Sequence, residues 1–377
     1  MPPVALDKGA AMATVHERGD EVYRGQDRSG EPVRRRPWSR AVLAGAGLAL
    51  GLVAKEALGR AGEASLRGDV ALVTGGSRGL GLALARELAG EGCKIAICAR
   101  DEDELARAVA DLEGRGAEVL AVPCDLRDEG AVRDMVLDVT ARYGRIDLLV
   151  NNAGIILVEP VEAATSDDFA DAMATDVFGA LYPTLAVLPQ MRQRRRGRIV
   201  TITSVGGKVS VPHMLPYSCA KFAAVGFSEG LRAELAGDGI VVTTVVPGEM
   251  KTGSFLHAEF GGDREAEYRW FALGASAPFT IGADRAARRI VRAIKRGTAE
   301  LTFPISAVLA ARLNGIAPGA TSAALALVDK VLPGSSAIPP APAAGATIDA
   351  AMDAPAFETA TALGRAAAEE WNQRPEA

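Results

Sequence analysis

A serine, a tyrosine and a lysine lie close together in the sequence and could act on one ligand. Tyr217 and Lys221 are four residues apart, so on a helix they lie on one face, one turn from each other. An ammonium group close to a phenol lowers the pKa of the phenol from its usual value of about 10. Ser204 follows the strand-like run 197–203, and open α/β folds bind ligands at the carboxyl ends of their strands. The spacing indicates proton transfer if a nucleotide site lies upstream.

A glycine-rich turn upstream has the composition of a nucleotide site. The apolar run 69–73 is followed by TGGSRGLG at 74–81 and then by a helical pattern over 82–88. Glycines let the backbone approach a phosphate closely, and the N-terminus of the following helix faces the negative charge. The glycine spacing differs from that of the common G-x-G-x-x-G fingerprint. The turn nevertheless predicts a phosphate-binding site.

This turn resembles the T-G-x-x-x-G-x-G loop of the short-chain dehydrogenase/reductase family. Further motifs follow in that family's order, namely Asn151-Asn152-Ala153-Gly154, Ser204, Tyr217, Lys221 and Pro247-Gly248. The resemblance covers about residues 66–303 and implies hydride transfer between NAD(P)H and a carbonyl or an alcohol. Tyr217 would then be the general acid in reduction and the general base in oxidation. Lys221 would hold the ribose and keep the pKa of the phenol near the working pH, and Ser204 would donate a hydrogen bond to the carbonyl oxygen.

The resemblance also implies which residues surround the dinucleotide. They come from the glycine-rich turn, from the ends of the predicted strands and from the two catalytic candidates on the helix. These residues are Thr74, Gly75, Ser77, Arg78, Gly79, Leu80, Gly81, Arg100, Asp125, Leu126, Asn152, Ala153, Gly154, Tyr217, Lys221, Pro247, Gly248 and Thr252. Asp125 resembles the family's contact to the adenine edge, although it could instead cap the next helix.

The choice between the two nicotinamide cofactors depends on the end of the second strand. In an NAD site an acidic residue at this position binds the ribose hydroxyls, but here the strand ends in Arg100, and Arg78 lies in the glycine-rich turn. Two guanidinium groups can bind a 2′-phosphate through charge-assisted hydrogen bonds. The alternative is that both arginines are solvated and that Asp101 turns inward as the ribose acceptor. We expect NADP(H) to be preferred over NAD(H).

One position departs from the family pattern. The family usually carries an asparagine 28 residues before the serine, where it holds a water molecule that links the lysine to solvent; here this residue is Asp176. A carboxylate accepts hydrogen bonds but cannot donate them as an amide does, and its charge would oppose the effect of Lys221 on Tyr217. Either the enzyme tolerates the change, or catalysis is impaired, or the helix bulges and the role shifts. A rival function is therefore an NAD(P)-binding sensor or scaffold with little or no turnover.

The elements that must position these residues alternate along the chain between strands and helices, which predicts a parallel sheet covered on both faces. The fold class is α/β, with a single doubly wound Rossmann-type sheet of about seven strands. The predicted strands are Ala71–Val73, Lys94–Cys98, Glu118–Val122, Asp147–Val150, Arg198–Thr203, Val241–Val246 and Glu300–Phe303. The predicted helices begin near Leu80, Glu102, Glu129, Ser166, Pro216 and Asp284.

The chain is predicted to contain one catalytic domain with extensions at both ends. Residues 1–65 form a disordered tail that includes a short apolar segment at 41–54, and residues 66–303 form the catalytic domain. Within it, 249–282 is an irregular insert that the resemblance identifies as the substrate lid. Residues 304–332 are a helical extension that could pack on the core or lie on a membrane, with the core preferred, and 333–377 are a Pro/Ala-rich tail with at most a loose helix.

The uncharged segment 41–54 follows an arginine cluster at 34–40. As a helix it would be about 21 Å long, which is shorter than the ~30 Å hydrocarbon core of a bilayer. It could be a short anchor with snorkelling basic residues, an export signal of the twin-arginine kind, or a helix docked on the protein itself. We favour peripheral attachment to the cytosolic face of a membrane, because export would separate the enzyme from cytosolic NADPH.

Composition limits the partners. The net charge of −5 gives no general attraction to nucleic acid, and no metal constellation is predicted. Cysteines at 93, 98 and 124 are expected to be buried thiols, which suits a cytoplasmic protein. Either His213 or His257 could line the substrate pocket, but an exposed loop is expected for each, and the arginines at 192–198 are expected at a solvated helix end. The expected partner is a small carbonyl or alcohol substrate, which could be lipophilic, and the resemblance implies a homodimer or homotetramer through the fourth and fifth helices.

Overall fold

A computed structural model of the protein describes residues 63–277, 280–334 and 341–373. The apolar segment 41–54 and nearly all of the N-terminal tail lie outside these residues. The expectations for them therefore stay predictions.

Twelve strands occur in the described part of the chain, and seven of them form the central sheet. In chain order they are β1 (Val70–Thr74), β2 (Lys94–Ala99), β3 (Val119–Pro123), β4 (Leu148–Asn151), β5 (Leu157–Val158), β6 (Gly197–Ile202), β7 (Ile240–Pro247), β8 (Met250–Lys251), β9 (Glu259–Phe260), β10 (Ile281–Gly282), β11 (Glu300–Phe303) and β12 (Ala343–Ala344). The central sheet has the order β11-β7-β6-β4-β1-β2-β3, and all of its pairs are parallel. The predicted strands are present, with ends shifted by at most one residue.

Helices cover both faces of this sheet. They are α1 (Gly79–Gly90), α2 (Glu102–Gly114), α3 (Glu129–Tyr143), α4 (Ser166–Met173), α5 (Gly179–Arg194), α6 (Leu215–Leu235), α7 (Arg264–Ser276), α8 (Ala283–Arg296), α9 (Ile305–Ile316), α10 (Pro318–Asp329), α11 (Gly345–Ala351), α12 (Pro355–Ala360) and α13 (Ala362–Glu370). One apolar core joins α1, α2 and α8 to the sheet, and a second core joins α3 and α5 to its other face. Strands buried on both faces are typical of parallel sheets. The doubly wound α/β prediction is confirmed.

A third apolar cluster joins the lid to the C-terminal segment. It contains Phe255, Phe260 and Tyr268 from the lid together with Ile348 and Phe357 from beyond residue 340. The ring of Tyr268 packs edge-on against Phe260 at a centroid distance of 5.4 Å and lies 5.7 Å from Phe357. Two expectations are therefore wrong: the insert contains the 13-residue helix α7, and residues 341–373 form three helices. The segment is rich in alanine, so its few large apolar residues produce no periodic signal.

The helical extension after β11 does not pack on the core as expected. Helices α9 and α10 leave large apolar side chains in solvent, with exposed fractions of 71% for Ile305, 82% for Ile316 and 81% for Val331, just after α10. In α9 only Ala307 is buried. A small residue rather than the leucine and isoleucine side chains makes the contact with the domain.

The arginine cluster before β6 is likewise more than a solvated helix end. Arg196 pairs with buried Asp69 at 2.6 Å, and Arg194 lies 3.6 Å from buried Asp147. Asp147 also accepts the backbone N–H of Val70 at 3.0 Å. The cluster therefore ties together the N-terminal ends of β1, β4 and β6, because burying an aspartate is costly unless it is paired.

Candidate active site

The glycine-rich turn between β1 and α1 is held by side chains at its two edges. The hydroxyl of Thr74 accepts hydrogen bonds from the backbone N–H groups of Asn152 (3.0 Å) and Ala153 (3.2 Å). The amide of Asn152 in turn donates to the carbonyls of Thr74 (3.0 Å) and Gly75 (3.1 Å). These bonds fix the turn to the end of β4, so the turn is organised before any ligand arrives.

Helix α1 approaches the turn too closely for a side chain at Gly81. A methyl group on Gly81 would overlap the carbonyl oxygen of Gly75 and lie 2.6 Å from the amide nitrogen of Asn152. The helix also lacks a side-chain N-cap, since Arg78 makes no capping hydrogen bond. The first N–H groups of a helix have no acceptor within it and favour an anion; in α1 that of Gly79 donates to the Trp371 carbonyl at 2.8 Å. This cradle fits a dinucleotide pyrophosphate.

Ser204, Tyr217 and Lys221 come together where β6 ends and α6 begins. Ser204 caps the short 3₁₀ turn 205–207, and its hydroxyl accepts the N–H of Gly206 at 3.0 Å. Tyr217 and Lys221 are both buried in the first turns of α6, and the Lys221 ammonium lies 5.5 Å from the centre of the Tyr217 ring. Ser204 lies close enough to Tyr217 to oppose the rise of the pKa of this phenol.

Asp176 lies in direct contact with this group. It belongs to a π-helical turn, Ala174–Phe178, between α4 and α5, and such bulges are frequent at functional sites. Its Oδ1 accepts hydrogen bonds from the Lys221 ammonium at 3.3 Å and from the N–H of Ile155 at 3.0 Å. Its Oδ2 is buried and has no hydrogen-bond partner among the described residues. The helix does bulge, yet the carboxylate still faces the lysine.

The electrostatics of the group differ from the expectation for Tyr217. Burial raises the pKa of Tyr217; Lys221 opposes this rise, and the charge of Asp176 adds to it. The net pKa shift is therefore upward, whereas the sequence predicted a lowered pKa. Burial also raises the pKa of Asp176. Although burial lowers the pKa of Lys221, Asp176 and Tyr217 raise it to above its ordinary value, so the ammonium form is stabilised.

A buried acid that the sequence did not indicate lies beside the predicted ribose site. Glu104 of α2 pairs with the Arg78 guanidinium and accepts a hydrogen bond from the Ser77 hydroxyl at 3.0 Å. Asp101 acts as the N-cap of α2 and accepts the N–H of Glu104 at 2.8 Å, which favours a capping role for Asp101. Arg100 is exposed and lines the same cavity as Arg78.

One cavity of about 930 Å³ contains nearly all of the predicted site. Of the predicted residues, Thr74 and Asp176 are buried behind the wall, and the others line the cavity. The lining includes Ser77, Arg78, Arg100, Asp125, Leu126, Asn152, Gly154, Ser204, Tyr217, Lys221, Pro247, Gly248 and Thr252. Asp125 pairs with Arg127 at 2.7 Å, which lowers the pKa of its carboxyl. Asp128, not Asp125, caps α3.

Further residues line the cavity. Glu249 and Gln373 were not predicted there, and His257 lines it too, as the less favoured of its two predicted positions. The Nε2 atom of His257 lies 2.6 Å from the carbonyl oxygen of Gln373. Burial lowers the pKa of this histidine. The prediction of an exposed loop is also wrong for His213, which is buried and lies 2.7 Å from Glu267. These contacts join residues far apart in the sequence, so no local pattern could indicate them.

Comparison with known proteins identifies the family. The short chain dehydrogenase family profile matches residues 69–259, about half of the chain. The chain is a member of the short-chain dehydrogenase/reductase family. It is 41% identical over 185 residues to a protein of Streptomyces violaceoruber named as ketoacyl reductase 1 of the granaticin polyketide synthase, a match that spans 48% of this chain and 68% of the relative. It is also 41% identical over 201 residues to the dehydrogenase/reductase SDR family protein 7-like of Anopheles gambiae, covering 52% of this chain and 63% of the relative.

A solved structure supports the same assignment. A short-chain dehydrogenase/reductase from Burkholderia phymatum, determined in complex with NAD, matches with a TM-score of 0.63 and 26% identity over 67% of this chain and 94% of that one. The protein thus belongs to a family of oxidoreductases that act on carbonyl and alcohol groups with a nicotinamide cofactor. The family profile ends at residue 259, so residues 260–377 lie beyond the part of the chain that it matches.

Proposed function

We propose that the protein is an NADP(H)-dependent oxidoreductase that interconverts a carbonyl and an alcohol. One observation carries this proposal: Ser204, Tyr217 and Lys221 line the same cavity as the glycine-rich turn. A substrate oxygen in this cavity can therefore lie within reach of a proton donor while a dinucleotide occupies the cradle. The nicotinamide cofactor supplies or accepts the hydride when it is bound.

The residues of this chain handle the proton and the developing charge. In reduction, the Tyr217 hydroxyl gives its proton to the substrate oxygen, and in oxidation the phenolate takes it back. The Ser204 hydroxyl donates to the same oxygen as negative charge develops there. Lys221 stabilises the phenolate through its charge, and Asp176 holds the ammonium in position at 3.3 Å.

The preference for NADP(H) rests on the basic residues around the predicted ribose site. Arg100 at the end of β2 and Arg78 in the turn both line the cavity. The charge of Arg78 is partly balanced by Glu104, so Arg100 is expected to contribute more to binding of a 2′-phosphate. The proposed cofactor-binding residues are otherwise those predicted from the sequence, including Thr74, which orders the turn.

The substrate part of the cavity has apolar walls. Ile156, Val211, Met214 and Phe271 line it, together with two acids, Glu249 near Tyr217 and Glu259 beside Ile156. Apolar walls with a few polar groups suit a small, largely lipophilic ligand. The name of the Streptomyces relative includes a ketoacyl reductase, and a carbonyl compound with an apolar chain is the substrate class that we propose.

The test measures NADPH consumption by absorbance with a panel of ketones and aldehydes. It compares the wild type with Tyr217→Phe. We expect turnover with at least one substrate and its loss in the variant, because the hydroxyl carries the proton whereas the ring only packs. NADPH binding by the variant should stay within a few-fold of wild type. A variant that keeps more than about a tenth of wild-type kcat would contradict the role of Tyr217, since general acid–base catalysis usually contributes about 10²–10⁴-fold.

Asp176 supports a second candidate, a dinucleotide-binding sensor or scaffold. Its buried carboxylate raises the pKa of Tyr217, which disfavours the phenolate needed for oxidation. Tight binding of NADPH with no turnover on any member of the panel would favour this function over the first.

We also propose a homodimer or homotetramer formed through the exposed faces of α5 and α6. Leu185 and Phe222 on these helices are 53% and 43% exposed, so both large apolar side chains are accessible to a partner subunit. Sedimentation equilibrium of the wild type measures the oligomeric state.

We further propose a cytoplasmic location, with attachment to a membrane through 41–54.

A further inference from the structure

The C-terminal segment returns to the glycine-rich turn. The Trp371 carbonyl accepts the N–H of Gly79, the first residue of α1, at 2.8 Å. The Trp371 ring is buried, and the Arg86 guanidinium of α1 stacks over it at 4.5 Å. The segment is therefore anchored on α1 by both a cation–π contact and a backbone hydrogen bond.

Asn372 connects the two elements that border the predicted ribose site. Its side-chain amide donates to the carbonyl of Ser77 in the turn (2.9 Å) and to that of Glu104 in α2 (3.1 Å). Its side-chain oxygen accepts a hydrogen bond from Arg107 at 2.8 Å. The residue has a φ of 54°, a left-handed conformation that asparagine tolerates better than most residues. No carboxylate could replace this amide, since both carbonyls need a donor.

Gln373 extends this contact across the cavity to the lid. It is 4% exposed, and its side chain lies so close to Gly79 that a methyl group there would overlap its amide nitrogen. Its backbone oxygen lies 2.6 Å from His257 of the lid. Residues 371–373 thus join the turn, α2 and the lid at the wall of the cavity where the phosphates of a dinucleotide would lie.

We infer that residues 371–373 are part of the dinucleotide site and that Asn372 is a positioning residue for it. By holding Ser77 and Glu104, Asn372 fixes the turn and α2 in the geometry that binds the cofactor. The inference rests on the proposed function, because it requires that the cavity binds NADP(H). Docking of the tail and binding of the cofactor then stabilise each other, since coupling between two binding events is reciprocal.

The first test replaces the amide with a carboxylate. In Asn372→Asp an acceptor faces the Ser77 and Glu104 carbonyls, so the tail should undock. We expect the Kd for NADPH to rise about tenfold, equivalent to about 1.4 kcal/mol, while kcat at saturating NADPH and substrate stays within about threefold. A role in general folding would instead lower kcat and the melting temperature together.

The matched control is Asn314→Asp. Asn314 also donates from its side-chain amide to a carbonyl, that of Lys208, at 2.8 Å, but it lies on α9, away from the turn. This variant should bind NADPH with a Kd within about twofold of wild type. The comparison separates loss of a specific positioning contact from the general cost of changing a half-buried amide.

A second measurement needs no variant. Hydrogen–deuterium exchange of the wild type should slow on addition of NADPH in peptides covering 77–81 and 362–373. Faster exchange in 362–373 would mean that the tail leaves when the cofactor binds, which overturns the inference in favour of a blocking role. Equal NADPH affinity of Asn372→Asp and wild type overturns it as well. If the wild type binds neither NADPH nor NADH, the proposed function fails together with this inference.

Discussion

At the scale of single residues, Asp176 acts on two neighbours at once. Its Oδ1 lies 3.3 Å from the Lys221 ammonium, and its charge adds to the rise of the pKa of Tyr217. The same contact stabilises the ammonium and weakens the pull of that ammonium on the phenol. With an asparagine at this position, no negative charge would offset that of the Lys221 ammonium. The ammonium would then stabilise the phenolate of Tyr217 more strongly.

Asp176→Asn is therefore expected to lower the apparent pKa that limits alcohol oxidation. Oxidation requires the phenolate of Tyr217, so its rate rises with pH up to the pKa of this group and is then constant. Removing a negative charge stabilises the phenolate, which moves the rise to lower pH and increases activity near neutrality. The measurement is kcat/KM against pH for both proteins on one alcohol. A pH profile identical to that of wild type would show that the carboxylate does not act on Tyr217.

Arg100→Asp is expected to shift cofactor preference from NADPH toward NADH. The substitution replaces the cation at the end of β2 by an acid that repels a 2′-phosphate and accepts hydrogen bonds from the ribose hydroxyls. Arg78→Ala should add a smaller shift, because Arg78 is already paired with Glu104. The ratio of kcat/KM for the two cofactors measures the effect. Arg115→Asp, on the exposed C-cap of α2, serves as the charge control, and an unchanged ratio in Arg100→Asp would contradict the assignment.

Nearly all of the site residues predicted from the sequence line the cavity, because each belongs to a short motif. The turn at 74–81 and the pair Tyr217 and Lys221 are local patterns whose geometry follows from a strand, a turn and a helix. Glu104 and Asn372 could not be predicted in this way. Ser77 meets Glu104 across 27 residues of sequence and Asn372 across 295. Such pairs depend on tertiary packing alone.

At the scale of elements, α1 depends on small residues only where it meets the turn. Gly81 packs against Gly75, whereas Gly90 at the other end of the same helix has no atom within 4 Å of the position that a methyl group would occupy. Both residues are glycine and both are helical. The helix therefore offers a matched pair for testing the close approach.

Gly81→Ala is expected to weaken NADPH binding by at least tenfold and to lower the melting temperature, because the methyl group displaces the turn. Gly90→Ala should leave binding unchanged and stabilise the protein by about 0.5–1 kcal/mol, since alanine is the better helix former. Fluorescence titration with NADPH and thermal unfolding give the two quantities. Equal effects of the two substitutions would show that the turn does not require close contact with α1.

Elements were predictable where the periodicity was strong. The seven strands of the sheet are apolar runs, and all were expected within one residue. The lid helix α7 and helices α11–α13 were missed because alanine and proline dominate the C-terminal segment and the lid mixes charged and aromatic residues. Helices α9 and α10 were expected, but their packing was not, since apolar composition does not distinguish a buried face from an exposed one such as that of Ile316, which is 82% exposed.

At the scale of the whole molecule, attachment to a membrane depends on parts of the chain outside the sheet. In the described residues, one helical stretch, Ser166–Arg194, is long and apolar enough to cross a membrane by length and composition. It contains Asp176 and packs partly in the core, which argues for a role within the domain. The segment 41–54, which has no charged residue, is the better candidate for contact with lipid.

We expect the full-length protein to float with vesicles that contain phosphatidylglycerol and to be released by Leu48→Asp combined with Leu52→Asp. A helix of this length is too short to span a bilayer and would lie in the interface, with its apolar face about 5–10 Å deep. The arginines at 34, 35, 36 and 40 would each add about 1 kcal/mol of attraction to anionic lipid. Flotation should therefore weaken as salt is raised, because charges at the surface are screened.

The control addresses the exposed apolar side chains of α9. Leu309→Asp combined with Leu313→Asp introduces the same charges on α9, where these leucines are 55% and 60% exposed. If 41–54 is the attachment site, this variant floats like the wild type. Flotation that survives the substitutions in 41–54 but is lost with those in α9 would place the attachment on α9 and contradict the prediction. Activity of both variants in the absence of vesicles shows that the catalytic domain is intact, so a loss of flotation can be assigned to lost lipid contact.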